Sequence, residues 1–166
     1  MTSNERPTYH LAQYNIARLL APLDDPRLAG FVEALDRINA LGERSPGFVW
    51  RHQDADGTST GTRVRGDDAL IINFTMWESV ESLFEYAYHS AHVEVFRKRR
   101  EWFEEMREAY LVLWWVPAGH IPSVEEADAQ LDYLRAHGPS AQAFTFKQRF
   151  AAPGVGGDAD PRAGAE

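Results

Sequence analysis

Nine consecutive residues, ALIINFTMW from Ala69 to Trp77, decide the fold. Their length and their β-branched and aromatic content predict a strand, whose successive side chains point to opposite faces of a sheet. One face is wholly apolar and carries Leu70, Ile72, Phe74 and Met76. The other face carries Ile71, Asn73, Thr75 and Trp77. Asn73 is the one strongly polar residue in the strand.

The same two-sided apolar pattern recurs in YLVLWWV, Tyr110 to Val116. A sheet that helices cover on one face only should be polar on the other. Each exposed Val, Leu or Trp side chain would forgo roughly 1.5–3 kcal/mol of burial. The second face must therefore be covered, either by the sheet of a second copy or by the C-terminal extension. We favour a face-to-face homodimer.

The sequence around these strands predicts a regular alternation of elements. A strand is expected at Tyr9–Ile16, a helix from the N-cap Asp25 and Pro26 to Gly42, and a strand at Phe48–Gln53, followed by a polar connection over 54–68. A helix begins at Glu78-Ser79 and breaks near His89-Ser90; further helices run from Ala91 to about Met106 and from the Ser123/Glu126 capping box to Gly138, before a last strand at Phe144–Phe150.

The element order predicts an α+β fold of the ferredoxin-like βαββαβ type, with an extra helix and strand at the C-terminal end. In that topology the first and third strands are neighbours in the middle of the sheet. The folded part is expected to be one domain over residues 9–150. Residues 1–8 are expected to be a flexible N-terminus, and the Gly-, Ala- and Pro-rich residues 151–166 a disordered tail.

Composition narrows the classes of function. The net charge of -8 argues against a nucleic-acid-binding protein, which would normally be basic. The absence of Cys excludes a thiolate nucleophile and Cys-ligated metal sites. The polar N-terminus lacks an apolar signal core, and no run approaches the ~20 apolar residues of a membrane span. We therefore expect a cytoplasmic protein with neither a nucleic-acid nor a membrane partner.

Four segments of the chain resemble a known bacterial family. They are LAQYNIAR at Leu11–Arg18, WESVE at Trp77–Glu81, SAHVEV at Ser90–Val95 leading to RKRREWF at Arg97–Phe103, and LWWVPAGH at Leu113–His120. Together they resemble the family called domain of unknown function 3291, and the likeness covers about Tyr9 to Phe150.

That family is grouped with the dimeric α+β barrels, a superfamily that includes cofactor-free antibiotic-biosynthesis monooxygenases, haem-degrading monooxygenases and haem peroxidase-like enzymes. The resemblance therefore implies a dimeric α+β barrel, a homodimer and a pocket between sheet and helices. It implies no reaction, because one fold hosts many functions.

His92 is the first candidate for chemistry. It shares a face of its predicted helix with Phe96, Arg99 and Phe103. An imidazole there could be a haem ligand, a general base or a proton donor, or a hydrogen-bonded structural histidine. The resemblance adds that a histidine in this region faces the pocket. His89 lies three residues earlier, but no further ligand completes a metal set, so we expect no metal site beyond the haem alternative.

Amide side chains are the second candidate group. Asn73 lies on the third strand, whereas Gln13 and Asn15 share a face of the first. If these strands are adjacent, the three amides can meet. They could orient a carbonyl or stabilise an enolate, as cofactor-free oxygenation requires. They could equally satisfy one another as a buried network.

Large side chains are expected to shape the pocket. Trp77 and Trp115 could line it for a flat aromatic ligand or haem, although most of the Trp residues could also belong to the core or a dimer interface. Phe96 belongs to the pocket through the His92 face. Arg99 is the member of the basic run Arg97–Arg100 that turns inward by its phase, to pair with a carboxylate or propionate.

Two functions remain open from the sequence. The first is a small monooxygenase-like enzyme acting on a hydrophobic or aromatic small molecule, either cofactor-free or haem-dependent with His92 on the iron. The second is a non-catalytic homodimer that binds a ligand or serves a structural role.

Overall fold

The computed structural model describes residues 8–55 and 57–154 of the chain. Within them, four antiparallel strands form one sheet in the order β2-β3-β1-β4. Their bounds are β1 Tyr9–Arg18, β2 Phe48–Arg51, β3 Leu70–Trp77 and β4 Leu111–Pro117. The central position of the first and third strands is confirmed, and Asn15 lies opposite Asn73. The strand order and the two crossovers are those of the ferredoxin-like fold.

Five α-helices complete this part of the chain. They are α1 Ala29–Arg44, α2 Val80–His89, α3 His92–Arg97, α4 Arg99–Trp102 and α5 Val124–His137. The predicted N-cap Asp25 precedes a 3-10 turn at Pro26–Leu28 that leads into α1. The predicted stop at Gly42 is wrong, because α1 runs through it. A Cβ there would lie 3.4 Å from the Tyr86 ring, so Gly42 permits close packing of α1 on α2.

The single helix predicted from Ala91 to Met106 is wrong. The chain forms two short helices that break at Lys98, and α4 ends at Trp102. The cause is a competing backbone pairing with the end of β1. The Leu20 amide donates to the Trp102 carbonyl at 2.8 Å, and Phe103 forms a β-bridge with Leu19. The residues after Trp102 are therefore extended.

The predicted last strand, Phe144–Phe150, is also wrong. Only Phe144 pairs with β4, through two backbone hydrogen bonds of 2.8 Å with Leu113. Beyond it the chain turns, and the segment is held by side chains instead. Phe144 is fully buried, and the Trp115 indole donates to the Phe150 carbonyl at 2.8 Å. The alternating apolar residues of this segment therefore pack against the sheet through their side chains and do not form a hydrogen-bonded strand.

Both faces of the sheet are covered within one chain. Helices α1 to α4 lie over the face that carries Leu11, Ile71 and Trp77. Helix α5 covers the face that carries Tyr14 and Phe74, using Ala127, Leu131 and Leu134. The sequence left two possible covers for the second sheet face, a second copy of the chain or the C-terminal extension. The structure shows the C-terminal extension on that face.

A polar anchor fixes α5 on the sheet. The Tyr14 hydroxyl donates to an Asp128 carboxylate oxygen at 2.9 Å, and Arg65 pairs with the same oxygen at 3.0 Å and with Asp132 at 2.8 Å. Burial and the neighbouring Asp128 carboxylate raise the pKa of Tyr14. The hydroxyl therefore stays protonated and remains a donor.

No helix in the described ranges combines the length and apolarity that a membrane crossing requires. The predicted flexible N-terminus, 1–8, lies outside the described residues except for Thr8. The predicted tail, 151–166, does so except for 151–154.

Candidate functional site

A cavity of about 470 Å³ lies between the sheet and helices α1 to α3. This volume is in the range typical of small-molecule sites. Its floor is the sheet face that carries Gln13, Asn15 and Asn73. Its walls are mainly apolar and come from α1, α2, α3, the start of β4 and the segments after α4 and α5. They include Phe31, Leu35, Leu83, Tyr86, Val95, Phe103, Leu111 and Phe146.

Six of the residues singled out from the sequence line this cavity: Gln13, Asn15, Asn73, His92, Phe96 and Arg99. Trp77 and Trp115 do not. Trp77 is completely buried on the same sheet face, stacked on Tyr86, and the half-buried Trp115 bonds to Phe150 at the outer edge of the sheet. The two indoles therefore do not contact a ligand in this cavity.

A chain of hydrogen bonds runs across the sheet face that forms the floor and ends at Asn15. The Trp77 indole Nε1 donates to Thr75 Oγ1 at 2.8 Å, and Thr75 Oγ1 donates to Gln13 Oε1 at 2.7 Å. Gln13 Nε2 then donates to Asn15 Oδ1. Gln13 and Thr75 are buried, whereas Asn15 is half-buried at the cavity. Because its oxygen is engaged, Asn15 keeps its Nδ2 protons for the cavity.

Asn73 differs from the other two amides. It is exposed into the cavity, and its side chain forms no hydrogen bond with any residue in the described ranges. Mutual satisfaction therefore explains the Gln13–Asn15 pair but not Asn73. An unbonded amide on an otherwise apolar strand is available to a ligand.

Thr75 and Tyr86 also belong to the site, although neither was among the predicted site residues. Strand alternation alone predicts that Thr75 lies on the same sheet face as Asn73. Its contact with Gln13 could be predicted only from the register of the strands, which places the two residues opposite each other. Tyr86 packs between Trp77 and His92, with ring centroids 5.1 Å and 5.0 Å away. That contact depends on how α2 and α3 meet.

His92 begins α3 at the cavity wall. Its Nδ1 lies 3.2 Å from the Ala87 carbonyl, a partner that only accepts hydrogen bonds, so Nδ1 carries the proton in the neutral ring. Burial lowers the pKa of His92 below its ordinary value of 6.5, and the bond to Ala87 offsets part of this effect. The ring is therefore neutral near pH 7, with an unprotonated Nε2 that can accept a proton or bind a metal.

The histidine pair does not form a metal set. Ser90 ends α2 between His89 and His92, and the His89 ring packs on Phe84 at 5.7 Å. Among the described residues, no group of three His, Cys, Asp or Glu side chains is arranged to hold a metal ion.

Arg99 lies at the mouth of the cavity. Its guanidinium stacks over the Phe96 ring at 4.0 Å and donates to the Phe96 carbonyl at 3.0 Å. It forms no ion pair with a carboxylate of the described chain, whereas its neighbour Arg100 pairs with Glu105 at 3.3 Å. The other exposed lining residues include the aromatic Tyr88 and Tyr110, each 42% exposed, and the charged Arg100, Glu104 and Glu105.

Comparisons with known proteins bear on the family more than on the site. The family model described as "Domain of unknown function (DUF3291)" matches residues 10–159. No curated protein matches the chain.

Several solved structures are similar to the chain. SnoaB, a cofactor-independent oxygenase from Streptomyces nogalater, is 16% identical over 69% of this chain and 98% of its own, with a TM-score of 0.47. PA3566 from Pseudomonas aeruginosa is 13% identical over 70% and 100%, with a TM-score of 0.45. MupZ from Pseudomonas fluorescens is 12% identical over 93% and 98%, with a TM-score of 0.42.

Proposed function

The chain belongs to the family described as a domain of unknown function (DUF3291), and we propose that it is a small monooxygenase-like enzyme. Its substrate would be a flat aromatic ketone that binds in the cavity between sheet and helices and reacts with O₂ without a cofactor. A cytoplasmic location and a homodimeric state are part of this proposal.

One observation carries the proposal: two amide side chains offer hydrogen-bond donors inside an apolar cavity. Asn15 keeps its Nδ2 protons because Gln13 occupies its oxygen, and Asn73 is unbonded. Donors that are already oriented in a site of low polarity stabilise the oxyanion of an enolate far better than water does. A ketone bound with its oxygen towards these amides would lose a proton more readily from the carbon that its carbonyl activates.

The reaction balances without a further reductant. A CH₂ group activated by the ketone loses a proton to give the enolate. The enolate transfers electrons to O₂, and the new C–O bond gives a hydroperoxide. Loss of water from it leaves a C=O group where the CH₂ stood. The carbon gives up four electrons, O₂ accepts four, and the second oxygen atom leaves as water.

His92 is the proposed base. Its neutral ring presents an unprotonated Nε2, because Nδ1 donates to the Ala87 carbonyl. Burial keeps the ring neutral by lowering its pKa. A base with a pKa near or below neutrality can both accept the carbon-bound proton and return it to the departing water.

Oxygen consumption tests the proposal directly. Anthrone, a tricyclic ketone with a CH₂ between two rings, is added to protein dialysed against EDTA, and O₂ uptake and anthraquinone formation are followed. We expect equal molar amounts of both, and a loss of about 10²–10³ in rate for Asn73→Ala, the cost of removing one oxyanion donor. Gln142→Ala, an exposed amide outside the cavity, is the matched control. Binding of anthrone without O₂ uptake would instead favour a non-catalytic ligand-binding homodimer.

A haem-dependent enzyme is the second candidate, and the tautomer of His92 favours it. A ring whose Nδ1 donates to a backbone carbonyl is the usual arrangement of a histidine that binds metal through Nε2. His92 would hold the iron, and Arg99 would pair with a propionate. Bound haem would supply redox chemistry. Reconstitution with haem should then shift the Soret band, and His92→Ala should lose the shift. An unshifted band removes this candidate.

A further inference from the structure

We propose that Trp77 and Thr75, which do not touch the ligand, set the hydrogen-bonding polarity of the cavity. Through Gln13 they fix which end of the Asn15 amide faces the ligand, so that the site selects molecules that accept hydrogen bonds. This inference rests on the cavity of the proposed function and names its ligand class: flat aromatic molecules with a carbonyl or oxyanion.

The direction of the chain follows from its first member. An indole N–H can only donate, so Thr75 Oγ1 must accept from Trp77. The single hydroxyl proton of Thr75 then goes to Gln13 Oε1, at 2.7 Å. The remaining end of the Gln13 amide is Nε2, which donates to Asn15 Oδ1. The Oδ1 of Asn15 is thus turned towards Gln13, and its Nδ2 protons are left for the cavity.

The burial of the chain keeps this direction fixed. Trp77 is 0% exposed, Gln13 4% and Thr75 8%, so no water replaces a lost partner. If the Gln13 amide were reversed, Thr75 Oγ1 would face two donors, and its own proton would lose its acceptor. A buried donor without a partner is costly, so the reversed state is disfavoured. Asn15 would then present its oxygen to the cavity, with the opposite selectivity.

Two planar molecules of similar shape measure whether the cavity prefers a ligand that accepts a hydrogen bond or one that donates it. Fluorenone carries a carbonyl that only accepts, and carbazole carries an N–H that only donates, on tricyclic frames of similar shape. Their dissociation constants are measured by quenching of tryptophan fluorescence or by calorimetry. We expect the wild-type protein to prefer fluorenone. In Trp77→Phe and Thr75→Val the preference should fall by about five- to ten-fold, the equivalent of one net hydrogen bond.

Two further variants separate polarity from packing. Thr75→Ser keeps the hydroxyl and should retain the wild-type preference. Trp115→Phe removes an indole hydrogen bond on the same sheet face but outside the cavity, and it should also leave the preference unchanged. If Trp77→Phe does not fold, the Thr75→Val and Thr75→Ser pair answers the question alone.

Several results would overturn the inference. They are an unchanged preference in Thr75→Val, equal weakening of both probes, and a wild-type protein that prefers carbazole or binds neither probe. Fluorenone has no CH₂ to oxidise, so its binding is independent of turnover. A protein that shows the expected preference but oxidises no anthrone contradicts the proposed reaction only. A protein that oxidises anthrone, but whose preference for fluorenone does not change in Thr75→Val, contradicts only the role proposed for Trp77 and Thr75.

Discussion

At the scale of the residue, Asn73 separates a functional role from a structural one. Its side chain is exposed and bonds to no described residue, although its neighbours on β3 are buried. Asn73→Leu should therefore leave the melting temperature unchanged or raise it, because no hydrogen bond is lost and apolar contact is gained. The same variant should lose oxygenation of anthrone. Thermal unfolding monitored by circular dichroism measures the melting temperature, and O₂ uptake measures the oxygenation.

The contrasting variant is Gln13→Leu, which cuts a buried network and should lower the free energy of unfolding by about 1–3 kcal/mol, since Thr75 loses its acceptor. A clear loss of stability in Asn73→Leu would mean that Asn73 has a structural partner, against its role at the ligand.

His92 gives a pH signature at the same scale. Burial holds its pKa in the folded protein below the ordinary value of 6.5. Between these two pKa values the unfolded chain binds more protons than the folded one, so stability rises with pH through this window and is lost as the pH falls. We expect His92→Gln to flatten the pH dependence of the melting temperature below about pH 6.5.

The activity should follow the same group. Because the neutral ring is the proposed base, kcat/KM for anthrone should fall only below about pH 6.5, on the acid side of the ordinary histidine range. An acid limb that lies above that range, or one that persists in His92→Gln, would assign the base to another residue.

At the scale of the element, the sequence predicted what local periodicity controls. The strand at Leu70–Trp77, the helix after the Ser123 cap and the break at Ser90 needed only alternation, capping and a polar interruption. The sequence failed where a distant backbone competed. Trp102 and Phe103 pair with the end of β1, and Phe144 makes a single bridge to β4. Neither partner is visible from the segment itself.

The candidate site could likewise be predicted only where local alternation was enough. Strand alternation, together with the assumption that β1 and β3 are adjacent, grouped Gln13, Asn15 and Asn73. These three residues do line one cavity. The roles of Thr75 and Trp77 as buried neighbours of Gln13 required the register of the pairing. Alternation correctly predicted that Trp77 lies on the face of Asn73, but alternation alone does not show whether a residue on that face lines the cavity.

Helix α5 is the element whose role is most easily tested. Leu131 is fully buried in the core between α5 and the sheet. Leu131→Ala should lower the free energy of unfolding by about 2–5 kcal/mol, because it removes burial and leaves a cavity. Ile121→Ala truncates a 54% exposed aliphatic side chain just before α5 and should be nearly neutral. Urea denaturation of both variants measures the difference, and equal stabilities would mean that α5 does not cover the sheet.

At the scale of the whole molecule, coverage of the sheet changes what a homodimer would do. The two-sided apolar strands predict a cover on both faces, from a second copy or from the C-terminal extension, and α5 buries Tyr14, Phe74 and Trp114 to 5% exposure or less within one chain. A dimer of such chains is therefore not needed to complete the core. Its contribution would be to function or to covering the exposed mouth of the cavity, rather than to folding.

This distinction yields the last prediction. The proposed homodimer should sediment with the mass of two chains at high concentration and dissociate on dilution. Association stabilises the folded state by mass action, so the melting temperature should fall through the concentration range of dissociation. Below that range it should level off at the value of the single folded chain, because each released chain keeps both sheet faces covered. A protomer that depends on its partner would instead unfold as it dissociates. Analytical ultracentrifugation and thermal unfolding across about a hundred-fold dilution decide the matter. A single-chain mass at every concentration would remove the homodimer, whereas dissociated chains without a cooperative unfolding transition would show that the partner, and not α5, covers the sheet.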